Sequence, residues 1–141
     1  MKNEKIMIQA NELRIGNLVE YQSTLGNYVN NIPKWAELKI LWVDIFGVEE
    51  FPEQYKPIPL TEERLLEFGF KDNSIMIDTI DKTLNISAIV GKDFYLYLDD
   101  VFGSAYDLNC IQSVHQLQNL YHALTGQELI LNQELPSTFL P

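Results

Sequence analysis

The chain has 141 residues, close to the length of one ordinary domain, and its 46% apolar and 21% charged residues place it among globular proteins and away from the composition of disordered chains. Its formal net charge is −10, and no Lys or Arg follows Lys92, so Asp93, Asp99, Asp100, Asp107, Glu128 and Glu134 stand unopposed. Affinity for nucleic acid or anionic membrane comes mainly from Lys and Arg, so this balance argues against direct contact with either.

Residues 12–21 place β-favouring side chains around Gly16-Asn17, a pair suited to positive φ, and predict a turn running into a strand. Residues 22–34, with Gly26, Asn27, Asn30, Asn31 and Pro33, predict a loop or a short irregular strand pairing. Glu37–Phe46 is predicted as a strand covered on both faces, with Leu38, Ile40, Trp42 and Ile45 on one side and Leu41 and Val43 on the other. Gly47 to Pro59 reads as a connector held extended by Pro52, Pro57 and Pro59.

A short helix is predicted near 61–68. Thr61 is a good N-cap, Glu62 and Glu63 suit the first turn, Leu60 and Leu65 have staple spacing, and Gly69 is placed to end it. From 74 to 99 the pattern has period two, through Ile75, Ile77 and Ile80, then Leu84, Ile86 and Ala88 or Ile89, then Phe94, Leu96 and Leu98. This predicts a three-stranded antiparallel meander, with turns at Asp81-Lys82 and Gly91-Lys92. Ser113 followed by Gln116 has capping-box spacing, and Val114, Leu117, Leu120, Tyr121 and Leu124 form one stripe of a helix over 113–125 packed on the sheet and closed by Gly126.

The fold class expected is therefore α+β, in a single domain over residues 1–141. It consists of a loop-rich strand subdomain over 1–56, for which an SH3-like partial barrel is one arrangement, a helix-meander-helix unit over 57–131, and a tail over 132–141. Leu60, Leu65, Phe68, Ile75, Ile77, Ile86, Leu96, Leu117, Leu120 and Leu124 are the expected core.

Three segments carry a resemblance: Glu12-Leu-Arg-Ile-Gly-Asn17, Pro57-Ile-Pro-Leu-Thr-Glu-Glu63 through Gly69-Phe70, and the run from Val114 to Gly126. Together they resemble a family of small uncharacterised proteins encoded in gut Bacteroidota genomes, their phages and mobile elements. The resemblance implies a phage or mobile-element accessory protein and carries over no catalytic residue.

Cys110 is the only cysteine, which excludes an intramolecular disulfide. The polar N-terminus lacks the apolar run of a secretory signal, so a cytoplasmic location is expected. His115 and His122 are seven residues apart on the predicted helix, about 10.5 Å along its axis, too far to share a metal, so no metal site and no cofactor are expected. Between Leu108 and Ile111, Cys110 reads as a small buried hydrophobe rather than a nucleophile served by His115, and capping uses the Ser113 hydroxyl. Asp93, Asp99, Asp100 and Asp107 match no calcium loop and read as solvated strand ends.

The distinctive feature is aromatic. Tyr21, Tyr28, Trp35, Trp42, Phe46, Phe51 and Tyr55 crowd the first half of the chain, and Trp35, Trp42, Tyr28 and Tyr55 are candidate binding residues. Arg14 and Arg64 are the arginines that a phosphate-bearing ligand would need. On the last helix His115, Gln118, Asn119 and His122 make a neutral polar face, which predicts an interface with a second copy of the chain. The function expected is that of a non-catalytic binding protein that occupies a protein partner, such as a host or defence protein. The alternatives are sequestration of a signalling nucleotide and, third, an enzyme using Cys110 and His115.

Overall fold

The computed structural model describes residues 8–22, 28–29, 32–33, 35–79, 82–89, 94–100 and 103–129. It has the α+β class, with antiparallel sheets and, among the described residues, three α-helices. The chain forms two compact units, one from residues up to Pro59 together with Ser113–Gln116, the other from Leu60–Gln112 with the residues from Leu117 onward.

In the first unit a 3-10 turn, Ala10–Glu12, leads to a tight turn in which the Asn17 N–H donates to the Arg14 carbonyl and Gly16 has φ 99°. A positive φ at the third turn residue is the type II signature and explains the glycine. Asn17 is fully buried, and its Oδ1 accepts from the Arg14 N–H at 2.6 Å. The turn delivers the chain into β1 (Leu18–Gln22), as its composition predicts.

Strands β2 (Tyr28–Val29) and β3 (Ile32–Pro33) pair as a short antiparallel ladder. β4 (Trp35–Lys39) pairs with β1 from Leu18 opposite Lys39 to Gln22 opposite Trp35.

The predicted strand over Glu37–Phe46 stops at Lys39, and α1 spans Trp42–Glu50. Local hydrogen bonding overrides the β-preference of Trp42, Val43, Ile45 and Phe46: the Asp44 carboxylate accepts from the Leu41 N–H at 2.8 Å, which is half of a capping box. The helix ends where Phe51 donates to the Gly47 carbonyl, just before Pro52. The predicted connector therefore holds the second half of this helix, a 3-10 turn at Pro52–Gln54, and β5 (Tyr55–Lys56), which completes the sheet in the order β4-β1-β5. The core of this unit is Ile8, Leu13, Val19, Ile40, Val48 and Tyr55, with Tyr21, Leu38 and Ile45 packed against it.

The second unit opens with α2 (Glu62–Glu67). Thr61 Oγ1 accepts from the Arg64 N–H at 3.1 Å, as an N-cap should. At the other end Phe70 donates to the Leu65 carbonyl and Gly69 to that of Leu66, a Schellman closure in which Gly69 takes φ 97°.

The meander is β6 (Ser74–Asp78), β7 (Thr83–Ile89) and β8 (Tyr95–Asp100), with Ile75 opposite Ile86 and Ile86 opposite Leu98. A fourth strand not anticipated, β9 (Ala105–Asp107), extends it with Leu98 opposite Tyr106. Ile80 and the expected turn residues Asp81, Gly91 and Lys92 lie outside the described residues, as does the tail after Leu129.

The expected core residues Leu60, Leu65, Phe68, Ile77, Ile86, Leu96 and Leu117 are buried, whereas Ile75, Leu120 and Leu124 are half-buried. The last helix, α3, spans Val114–Thr125, and its final turn closes where Gly126 donates to the His122 carbonyl. No helix among the described residues is long and apolar enough to cross a membrane.

Candidate functional site

Helix α1 is apolar on two opposite sides, and only one of them is covered. At 100° per residue, Ile45 and Val48 fall together and pack into the core of the first unit. Trp42, Val43 and Phe46 fall on the other side and are exposed, Trp42 by 65% and Phe46 by 59%. Leu41 before the helix and Phe51 after it extend the same apolar surface, each at least half exposed. The Trp42 and Phe46 rings meet edge to face with centroids 6.1 Å apart, the geometry that aromatic quadrupoles favour. A helix that is apolar all round is normally buried, and large aromatics grouped in solvent mark a surface that meets something else.

Two depressions flank the C-terminal half of α1. One, of about 310 Å³, is lined by Val43, Phe46, Gly47, Glu49, Glu50 and Phe51. The other, of about 440 Å³, is lined by Ile8, Gln9, Ala10, Asn11, Val48, Glu49 and Pro52. Glu49 borders both, and neither is lined by Lys or Arg. Between Ile40 and Tyr55 the sequence carries Asp44, Glu49, Glu50 and Glu53 and no cation at all. The surface is therefore an apolar centre with an acidic margin.

Tyr55 fixes α1 from below. Its ring lies 5.0 Å from that of Tyr21, and its hydroxyl fills the space beside Gly47, where any Cβ would collide with it. Burial pushes its phenol up to about 12, with further increments from the charge of Asp44 and from Tyr21. Tyr55, expected among the exposed aromatics, is thus a core residue, because the sheet edge at β5 turns it inward.

Trp35 and Arg14, in the same unit as Trp42, have local roles of their own. Trp35 is half-buried on β4, with the Lys56 ammonium 4.3 Å from its ring centroid. That Lys56 also lies 3.6 Å from Glu20, so this cation serves the sheet. The Tyr28 side chain lies outside the described residues. Arg14 belongs to the turn before β1, and Arg64, in the second unit, pairs with Glu67 at 3.3 Å.

Only half of the polar face expected on α3 is at the surface. His115 and Gln118 are buried, leaving Asn119 and His122 partly exposed, the latter 3.9 Å from Glu128. His115 is internal because both ring nitrogens are satisfied there: Nε2 lies 2.7 Å from Glu12 Oε1, and Nδ1 lies 3.2 Å from Ser113 Oγ. The carboxylate accepts from Nε2–H, and Nδ1 meets the hydroxyl, so one ring closes the chain Glu12–His115–Ser113.

The Ser113 hydroxyl, expected to be used in capping, therefore meets His115, while the Ser113 N–H donates to Gln116 Oε1 at 3.1 Å. Cys110, expected to be buried, is exposed, because it sits in the turn between Asp107 and Ser113 and not on a packed face.

Among the acidic residues, Asp93 lies outside the described residues, and Asp100 Oδ1 accepts from the Ser104 N–H at 3.0 Å. Asp99 Oδ1, on β8, is buried without a hydrogen-bond partner, and the exposed Asp107 stands opposite Tyr97. Among the described residues no three His, Cys, Asp or Glu side chains gather as a metal would require. No protein family, curated protein or solved structure matches this chain.

The α1 surface escapes the sequence pattern because its run of apolar residues fits a two-sided strand, in which Trp42 faces the core. The available signal was local: Asp44 three residues after Leu41, Pro52 as a stop, and Trp42 and Phe46 at the i, i+4 spacing of one helix face.

Proposed function

We propose that this chain is a non-catalytic binding protein that acts by occupying a protein partner, and that it docks through the outward face of α1. The observation that carries this reading is the exposed group Leu41, Trp42, Val43, Phe46 and Phe51. Tryptophan and other aromatics anchor protein interfaces because they bury much area for little lost rotamer freedom.

A phosphate-bearing ligand would need convergent cations or helix N-termini, and neither depression beside α1 is lined by Lys or Arg. An enzyme using Cys110 and His115 would need the imidazole presented to the thiol, but the His115 ring is buried against Glu12 and Ser113 while Cys110 is exposed. The resemblance of three sequence motifs to Bacteroidota phage and mobile-element proteins supports a partner in a bacterial host, where a small protein can act simply by covering a surface.

The test is comparative capture. The native chain and a Trp42→Ala, Phe46→Ala variant, each verified as folded, are used as baits in extract from a Bacteroidota host at low salt. A protein retained by the native chain and lost by the variant is the expected result. Retention of the same set by both, or of nothing by either, contradicts the reading.

A further inference from the structure

The chemistry of the α1 surface narrows what can cover it, and we infer that its occupant is a basic amphipathic segment of a partner protein, an apolar stripe flanked by Lys or Arg. The inference rests on the docking reading above and specifies the partner's charge. The apolar centre demands apolar anchors, since Trp42, Val43, Phe46 and Phe51 offer no hydrogen-bonding partner of note over most of their surface. The margin demands cations. Glu49 lies between two depressions, Glu50 lines one of them, and Glu53 stands exposed just beyond Pro52. An occupant that desolvated these carboxylates without supplying positive charge would lose binding free energy at each of them.

A second copy of this chain is a poor occupant for the same reason. Around a two-fold axis the patch faces itself, so Glu49, Glu50 and Glu53 would meet carboxylates, and the net charge of −10 adds repulsion over the whole approach. Anionic lipid is excluded on the same ground.

The arrangement also predicts how association proceeds. Attraction between an acidic rim and a basic segment steers encounter and weakens with salt, while the aromatic centre sets the lifetime of the complex.

The inference can be tested with two synthetic helical peptides of about 18 residues, sharing one leucine stripe and carrying either Lys or Glu elsewhere. Trp42 reports burial by the blue shift of its emission, in a Trp35→Phe background that removes the other tryptophan. The lysine peptide is expected to bind at least about tenfold more tightly than the glutamate peptide at about 50 mM salt, with the difference closing at about 0.5 M. Glu49→Lys with Glu50→Lys is expected to reverse the preference, and Phe46→Ala to weaken binding of the lysine peptide by about tenfold or more.

Equal or tighter binding of the glutamate peptide overturns the basic partner while leaving α1 as the docking face. Binding that ignores Phe46→Ala, or no shift with either peptide, overturns both. Self-association of the native chain that Phe46→Ala abolishes would assign the face to a second copy and likewise overturn the inference.

Discussion

Substituting Gly47 with alanine sets two effects of opposite sign against each other. Gly47 lies inside α1, outside the positive-φ region, so alanine is the better helix former there by about 1 kcal/mol. The new methyl, however, would collide with the Tyr55 hydroxyl. Tyr55 is only 7% exposed, belongs to the core of its unit and has the Tyr21 ring against it, so the phenol cannot swing aside without disturbing β1 and β5. Overpacking of this kind costs about 1–3 kcal/mol, and the net expectation is a loss of about 1 kcal/mol.

Removing the hydroxyl separates the two effects. In a Tyr55→Phe background the nearest ring atoms to the new methyl are Cζ at 3.4 Å and Cε1 at 3.7 Å, ordinary contact distances. There Gly47→Ala is expected to stabilise by about 0.5–1 kcal/mol, which gives a coupling of about 1.5–2 kcal/mol between the two positions. Trp35 and Trp42 both belong to this unit, so tryptophan emission in a urea titration reads its unfolding directly. A Gly47→Ala change of the same sign and size in both backgrounds would refute the reasoning.

Other outcomes follow from the same contacts. With its phenol raised to about 12, Tyr55 holds its proton in the folded state after the unfolded chain has lost it at about 10. Stability from this group is therefore complete below pH 10 and falls, by about 2–3 kcal/mol in all, as pH rises to 12. Absorbance at about 295 nm should show one of the seven tyrosines ionising last, and Tyr55→Phe should remove that step.

Glu12→Ala leaves the Nε2–H of buried His115 without this acceptor and should cost about 1–3 kcal/mol in thermal unfolding, whereas Glu12→Gln, which keeps an acceptor oxygen, should cost clearly less. Thr61→Ala should cost about 1 kcal/mol through loss of the cap on α2, read by circular dichroism. Trp42→Ala and Phe46→Ala should each leave stability within about 0.5 kcal/mol, because both side chains are mostly in solvent.

The readable parts of the fold were those in which local chemistry and burial agree. Thr61 and Gly69 bound α2 on their own side-chain and backbone merits, and period-two burial in Ile75, Ile77, Leu84, Ile86 and Leu96 defines the meander. α1 is the hard case, because burial pattern alone does not separate its alternatives and only the local signals at Asp44 and Pro52 favour a helix. With apolar residues on both of its sides, a two-sided strand and a helix with one uncovered side produce the same run of letters. The polar face of α3 failed for a related reason: neutral residues desolvate cheaply, so they suit an interior chain such as Glu12–His115–Ser113 as well as an interface. Neither Glu12 nor its distance of 103 residues from His115 is visible in any local pattern.

The docking role of α1 is tested most directly by placing a photo-crosslinking amino acid at Phe46 in one variant and at Met76 on β6 in another, both positions being exposed. Irradiated in host cells, the Phe46 variant should give a discrete adduct with one host protein, and the Met76 variant should not. Adducts of the same size from both positions, or none from Phe46, would contradict the assignment of α1 as the surface through which this protein acts.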